Sequence, residues 1–559
     1  MRPVPEAGAV SAGRVRSLLP NLLLLIAALG MAGVLLALIE GGLRAAGLGN
    51  PDASRTSRLA YQQVFLPILK PGVRPDGVAI LHTDDPRLPY QSLLRDKPPD
   101  GHRVFVFGGS AAAGLGFSPN VTFARELGRM LSHATPDRSF EIMNLGIVAL
   151  ASKQVKVLVG DVLRNYDPDL LIVYSGNNEF LEIHAQEYAR AHSSRLARAR
   201  DLLMKTNLYR FVHRAVRTVP RSPSLASRDF SRNRLRISED EMIEDIELTQ
   251  AQIDATIADY GANLEAIADV AQEYEVDLLL LTVASNWKWR GREDLPGGWL
   301  EELLENHGGV SGVENRLVRA REILDHKLGD GPRSERHEWL YRRALVREAL
   351  GDLEAARADY RAALNEDRHL RRAVDAQNDR VRELARRRGI PMVDTVAWMA
   401  SRAQHEIVGF DEFYDYVHFT PRGVVLVAEA LFRELPRLGW VPPSPTFDLD
   451  ATVHERLQHL AGLSEDPFDV SEWMGFGFDP DRVHDRDLWK YDRLLEDLDR
   501  RLEAAPEDYR SRVYRGNAHF FQADGAAGAA ADYRAALALE PDDAAVRANL
   551  TRLLSERVP

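Results

Sequence analysis

Five short apolar-rich runs, separated by stretches of helical periodicity, restrict this chain to an α/β arrangement. Val104–Phe107 (VFVF), Phe140–Leu145 (FEIMNL), Leu170–Tyr174 (LLIVY), Asp277–Val283 (DLLLLTV) and Ile390–Val393 read as strands. The near-continuous apolar character of most of them fits strands buried on both faces. Thr122–Ser132 has Phe123, Leu127, Met130 and Leu131 on one side, and Ser152–Arg164 has Val155, Leu158, Val159, Val162 and Leu163, so both read as amphipathic helices. Glu239–Tyr274, Val374–Arg388 and Val424–Leu435 read as further helices. Strand–helix–strand–helix–strand is the pattern of a parallel sheet covered by helices on both faces.

Reactive residue types fall where such a sheet presents them. In Arg103–Gly116 (RVFVFGGSAAAGLG) the first strand is followed by Gly108 and Gly109, whose tolerance of unusual backbone angles allows a sharp turn, and then by Ser110. Ligands of open α/β sheets bind outside the carboxyl ends of the strands, which makes Ser110 a candidate nucleophile. The second strand leads to Asn144 and Gly146, and the third runs into Ser175-Gly176-Asn177-Asn178-Glu179. Backbone N–H groups and amide side chains at strand ends are the material of an oxyanion hole. Phe413–Gly423 (FYDYVHFTPRG) sets Asp415 and His418 three residues apart on the approach to a helix. A histidine within reach of a serine acts as general base, and a carboxylate on its other nitrogen fixes the tautomer. The chain order Ser, Asp, His occurs in triads of other α/β folds. Ala284-Ser285-Asn286-Trp287-Lys288-Trp289 follows the fourth strand, where the two tryptophans either line a cleft or pack.

Leu18–Ile39 is a run of 22 uncharged residues, closed by Glu40 and Arg44. At roughly 1.5 Å rise per residue it spans about 30 Å of bilayer hydrocarbon. It is long for the apolar core of a signal peptide, and Leu38-Ile39-Glu40 is a poor cleavage site, so it reads as an uncleaved anchor. Arg2, Arg14 and Arg16 favour an inner leader, with the bulk of the chain outside the cytoplasm, in a bacterial periplasm. The expected organisation is a cytoplasmic leader (1–17), a transmembrane helix (18–40), a Gly-, Pro- and Asp-rich connector (41–102), a catalytic domain (103–440) and a helical tail (441–559). At 559 residues, two or three domains are expected. A net charge of -12 argues against nucleic-acid binding, and the lack of cysteine excludes disulfides, thiolate metal sites and cysteine nucleophiles.

Two insertions interrupt the catalytic domain. Residues 185–237 carry a dozen arginines, among them Arg195, Arg198, Arg200, Arg210, Arg214 and Arg217, interleaved with apolar residues. Such a segment is either a solvated helical face or a surface for an acidic polymer or an anionic membrane. In residues 291–370, Leu340, Ala344, Ala356, Tyr360 and Ala363, with Gly351-Asp352 as the turn, have the spacing of a tetratricopeptide-type (TPR) helix pair. In the tail, Pro442, Pro443 and Pro445 mark a linker, Leu494–Leu502 reads as a helix, and Asn517, Phe520, Ala529, Tyr533, Ala536 and Pro541 fit a second such repeat. Pro506 stands 35 residues before Pro541. Repeats of this kind either recruit a protein partner or cap the catalytic domain.

In combination these motifs resemble the SGNH (GDSL-type) hydrolase family, over about 104–290 and 371–437. That family carries a serine after its first strand, a glycine after its second, a G-x-N-D block after its third and D-x-x-H before its last helix. The matching residues are Ser110 in Gly108-Gly109-Ser110, Gly146 in Asn144-Leu145-Gly146, Gly176–Glu179, and Asp415 with His418. Gly109 stands where the family has aspartate, and Glu179 replaces the aspartate after Asn178. The resemblance implies a flavodoxin-like, five-stranded parallel sheet. It implies Ser110 as nucleophile, His418 as base and Asp415 as its orienting acid. It also implies an oxyanion hole of the Ser110 N–H, the Gly146 N–H and the Asn178 side chain. The expected activity is serine-dependent ester hydrolysis, on an acylated carbohydrate or other envelope ester, with no metal or organic cofactor. Transfer of the acyl group to a polysaccharide hydroxyl, and a non-catalytic membrane-tethered assembly role, are the alternatives.

Overall fold

The computed structural model describes residues 12–46, 62–73, 77–85, 87–89, 91–115, 121–192, 245–289, 298–305, 312–332, 335–441, 447–465, 506–521, 525–541 and 543–556, with a few residues between these stretches. The chain divides into two compact units, Met1–Thr56 with Ala189–Arg228, and Ser57–Tyr188 with Asp229–Pro559. In the first, α1 (Ala12–Ala45) covers residues 18–40, the stretch expected to form an anchor. Its Glu40 carboxylate accepts from Arg44 Nε and from the N–H groups of Asn207 and Leu208. Among the described residues no helix is long and apolar enough to cross a membrane. Of the α1 side chains, only those of 27, 28 and 30–45 are described. Arg195, Arg198, Arg200, Arg210, Arg214 and Arg217 lie outside the described residues, as do Gly116 and the linker prolines Pro442, Pro443 and Pro445.

The second unit holds, in chain order, β1 (Leu69–Val73), β2 (Ala79–Thr83), β3 (Ser92–Leu94), β4 (Gly101–Gly108), α2 (Ser110–Ala113), α3 (Phe123–Ala134), β5 (Ser139–Gly146), α4 (Ser152–Asn165), β6 (Leu170–Tyr174), α5 (Glu179–His192, of which the residues up to Tyr188 belong to this unit), α6 (Gln250–Glu273) and β7 (Asp277–Leu281). Then come α7 (Trp299–Glu305), α8 (Val313–Asp330), α9 (Arg336–Ala349), α10 (Leu353–Glu366), α11 (Asp375–Arg388), β8 (Met392–Val393), α12 (Thr395–Arg402), α13 (Pro421–Glu434), α14 (Leu449–Glu465), α15 (Tyr509–Phe521), α16 (Ala526–Leu539) and α17 (Ala544–Glu556). The main sheet has the order β5-β4-β6-β7-β8, with every neighbouring pair parallel.

The strand pleat sends alternate residues to opposite faces. Val104, Val106, Leu170, Ile172, Leu279 and Leu281 join one core with α3 and α13. Phe105, Phe107, Leu171, Val173, Leu278 and Leu280 join the other with α4, α6 and α11. Val104–Phe107 are 0% exposed. Burying each such side chain stabilises by roughly 1.5–3 kcal/mol.

Several boundaries differ from expectation. The helix expected from Glu239 starts at Gln250, because Thr249 and Gln252 cap it reciprocally and 245–249 are not helical. The fifth strand shrinks to two residues, which pair with Leu280 and Leu281. The stretch 41–102 is more than a connector, since it supplies the antiparallel sheet β1-β2-β3. Just before β3, the Gln91 amide covers the outer edge of β5, donating to Asn144 O at 2.8 Å and accepting from Asn144 N at 2.9 Å.

The helical additions contain two helix–turn–helix pairs with one internal wiring. α9 and α10 turn at Gly351, whose φ of 81° requires glycine. Ala358–Leu364 and Ala531–Leu537 are the same seven residues, ADYRAAL. In the first pair Arg343 binds Asp359 through two nitrogens, at 2.8 and 2.7 Å, and Asp325 through the third at 2.7 Å. In the second, Arg515 binds Asp532 at 2.9 and 2.7 Å and Asp499 at 2.7 Å. Of the expected helix Leu494–Leu502, residues 495, 498, 499 and 502 are described, each helical.

Candidate active site

Ser110 is the first residue of α2, directly after β4. The two glycines before it are needed for close approach rather than for backbone angle, since neither has positive φ. A Cβ on Gly108 would stand 2.1 Å from Tyr174 O, and one on Gly109 would stand 2.2 Å from Asn178 Nδ2. As first residue of its helix, Ser110 has an N–H without an intrahelical acceptor.

His418 and Asp415 lie in the loop before α13, pinched by the Phe413–Phe419 bridge and closed by Thr420, which caps that helix. The loop lays His418, 6% exposed, against the turn carrying Ser110. His418 Nε2 is 2.6 Å from Ser110 Oγ, and His418 Nδ1 is 2.5 Å from Asp415 Oδ2. Asp415 Oδ1 accepts the N–H groups of Val417 at 2.9 Å and His418 at 2.8 Å. Burial works to raise the Asp415 carboxyl, but the adjacent imidazole and these two N–H groups outweigh it and hold the group below the ordinary aspartate range. With a carboxylate on Nδ1, the proton sits there and leaves Nε2 to accept the Ser110 hydroxyl hydrogen. Tyr414 stacks on the imidazole at 5.6 Å and Tyr416 meets its edge at 5.9 Å, limiting its rotation.

The three expected oxyanion donors are placed differently from one another. Asn178 touches the Ser110 turn through Gly109, and one hydrogen of its Nδ2 is held by Leu150 O at 2.9 Å, leaving the second without an acceptor among the described residues. The Gly146 N–H is occupied, donating to Asn144 Oδ1 at 3.0 Å. Gly146 instead packs its Cα behind α2, where an added Cβ would stand 2.3 Å from Ala113 N. Asn144 ties the same helix down by donating to Ala112 O at 2.8 Å. Sequence reasoning missed Ala149. It lies in the turn after β5, next to the Leu150 carbonyl that Asn178 binds, with a left-handed φ of 65°. Alanine is uncommon in that region, so no sequence signal marked it. Its N–H bonds to none of the described residues.

Glu179 is a positioning group behind Asn178. Its carboxylate accepts both the N–H and the hydroxyl of Ser152, each at 2.8 Å, which ties the start of α4 to that of α5. Burial pushes this carboxyl up to about 7, against the two bonds from Ser152. Of the two tryptophans after β7, Trp287 is buried in the core, while Trp289 is partly exposed with its ring 4.9 Å from Tyr416.

No family model matches the chain, and no curated protein sequence matches it. It is similar to several solved structures at low sequence identity. One is a GDSL-like lipase from Bacteroides thetaiotaomicron VPI-5482, at 11% identity and a TM-score of 0.27, covering 62% of this chain and 93% of that one. Another is the acetyl xylan esterase AlAXEase, at 11% identity and a TM-score of 0.28, covering 59% of this chain and 98% of that one. A third is Axe2, an acetylxylan esterase from Geobacillus stearothermophilus, at 11% identity and a TM-score of 0.29, covering 63% and 100%.

Proposed function

We propose that this chain is a serine esterase of SGNH type. The observation that carries the reading is the unbroken relay Ser110 Oγ–His418 Nε2–His418 Nδ1–Asp415 Oδ2, at 2.6 and 2.5 Å, assembled from residues 308 positions apart. Ser110 Oγ attacks an ester carbonyl and passes its proton to His418 Nε2, while Asp415 stabilises the imidazolium. The tetrahedral oxyanion is met by the Ser110 N–H and the free hydrogen of Asn178 Nδ2. In this reading the Ala149 N–H takes the third place, because that of Gly146 is engaged by Asn144. The alcohol leaves with the proton from His418, and water then releases the acyl group by the same steps reversed.

We further propose that the chain is a single-pass membrane protein with its catalytic domain outside the cytoplasm, acting on acylated carbohydrate. This is supported by the uncharged run Leu18–Ile39 and by Met31, Val34, Leu35, Leu36 and Leu38 of α1, each more than half exposed. The helix pairs are read as TPR-like partner or capping modules, supported by their shared ADYRAAL segment.

The test treats the full chain in detergent with a fluorophosphonate and locates the adduct by mass spectrometry. A single adduct on Ser110, absent in Ser110→Ala and strongly slowed in His418→Ala, is the expected result. No adduct on a folded chain, or one indifferent to His418, overturns the reading. Acetylated xylan and p-nitrophenyl acetate, each with water or an added sugar as acceptor, then separate hydrolysis from transfer.

A further inference from the structure

Between the strand β7 and the helical insertion lies a short loop, Asn286–Trp289, that the mechanism above does not use. Asn286 is 0% exposed, and all four of its hydrogen-bonding groups are engaged. Its N–H donates to Tyr416 O at 3.0 Å and its Nδ2 to Asp415 O at 3.0 Å, so it grips the backbone at Asp415 and the residue after it. Its carbonyl accepts from Arg372 Nη1 at 2.6 Å, and its Oδ1 accepts from the Lys288 N–H at 2.9 Å. Arg372 is itself 7% exposed, and its Nη2 reaches Trp289 O at 2.9 Å. It forms no salt bridge among the described residues, and burial depresses the guanidinium to about 10 against the opposing charge of Asp367. A buried charge is costly, and here its hydrogen bonds go into holding both ends of one loop.

The helical insertion holds the same loop from the other side. Lys288 Nζ pairs with Glu348 Oε1 of α9 at 2.5 Å, and Glu348 Oε2 accepts from Tyr360 of α10 at 2.7 Å. Tyr341 of α9 donates to Lys288 O at 2.5 Å. Thus α9 and α10 hold Lys288, Lys288 and Arg372 hold Asn286, and Asn286 holds Asp415, which orients His418. Every link is a hydrogen bond between partly or fully buried groups.

We propose that Asn286 is a positioning residue for the triad acid and that α9 and α10 set its position through Lys288. The inference rests on the esterase reading. It assigns Asn286, Lys288, Glu348 and Arg372 roles exerted through Asp415 rather than by touching substrate.

The experiment measures fluorophosphonate labelling of the full chain over a range of probe concentrations, separating the maximal rate from the half-saturating concentration. The variants are Asn286→Ala, Lys288→Glu, Glu348→Lys and the double exchange Lys288→Glu/Glu348→Lys, each with its melting temperature. Misplacing a catalytic group by about 1 Å costs up to roughly a hundredfold in rate. The single variants are therefore expected to lose about tenfold or more in maximal rate at unchanged half-saturation. The double exchange is expected to recover most of that loss. Labelling of the single variants within about twofold of wild type overturns the proposal, and so does failure of the double exchange to recover. If Asn286→Ala does not fold, the charge exchange decides alone. An unlabelled wild-type chain would instead overturn the esterase reading, and this inference with it.

Discussion

Asp415→Asn isolates what the acid does for the histidine. Asparagine in the same rotamer keeps its oxygen where Asp415 Oδ1 is, so the N–H groups of Val417 and His418 keep their acceptor and the loop keeps its shape. What changes is the atom 2.5 Å from His418 Nδ1, which becomes an amide nitrogen with hydrogens of its own. Nδ1 must then accept, the imidazole proton moves to Nε2, and Ser110 faces a donor in place of a base. Losing a charge-assisted hydrogen bond costs about 1.5–3 kcal/mol, and holding the working tautomer against opposed donors costs about 1–3 kcal/mol more. Together these correspond to roughly a 10²- to 10⁴-fold slower attack. The assay is the time course of the Ser110 adduct by mass spectrometry, with melting temperature as a fold control. Asp415→Ala, which frees the tautomer without inverting it, is expected to label no more slowly than Asp415→Asn. Labelling of Asp415→Asn within about threefold of wild type would refute the tautomer argument.

Three further outcomes are expected. The Glu179 carboxyl, raised from 4.5 to about 7, keeps in the folded state a proton that the unfolded chain releases. Wild-type stability therefore falls as pH rises from about 4.5 to 7, by on the order of 3 kcal/mol, and levels off above. Denaturant unfolding of Glu179→Gln at pH 4.5 and 7.5 should lack that part of the slope; identical slopes reject it. Gly109→Ala puts a methyl 2.2 Å from Asn178 Nδ2 and should displace that donor, slowing Ser110 labelling about tenfold or more while the chain still folds. Wild-type rates in that variant would show that Asn178 is not needed in this position. Asp359→Ala removes the shared acceptor of Arg343 and Arg347 and should cost α8–α10 about 3 kcal/mol, read as lost hydrogen-exchange protection confined to that region. Unchanged protection there would show that the ion network is dispensable.

The strands and the helices beside them were legible in the sequence because their information is local. Val104–Phe107 and Leu170–Tyr174 are apolar throughout, and only a strand with helices on both sides buries both of their faces. The positions of Ser110 and of the Asp415–His418 pair were legible for the same reason, since a glycine turn after a strand and a D-x-x-H before a helix are short segments. Where the helix after Thr249 begins was equally local, but its cap lay inside a longer stretch of helical periodicity that concealed it.

What joins the segments is not written in any of them. Ser110 and His418 are 308 residues apart, and only the parallel order β5-β4-β6-β7-β8 brings the end of β4 to the loop before α13. The partner of the Gly146 N–H was settled by the Asn144 side chain turning back onto it, a choice of rotamer that spacing does not reveal. Ala149 adopts a backbone its residue type disfavours because the surrounding turn imposes it. Asn286 became a node because β7, the insertion and the His418 loop converge on one buried amide. Hydrophobic periodicity reports which face of an element is covered, whereas hydrogen bonding among distant elements depends on the packing of all of them together, and that was decided by the tertiary structure alone.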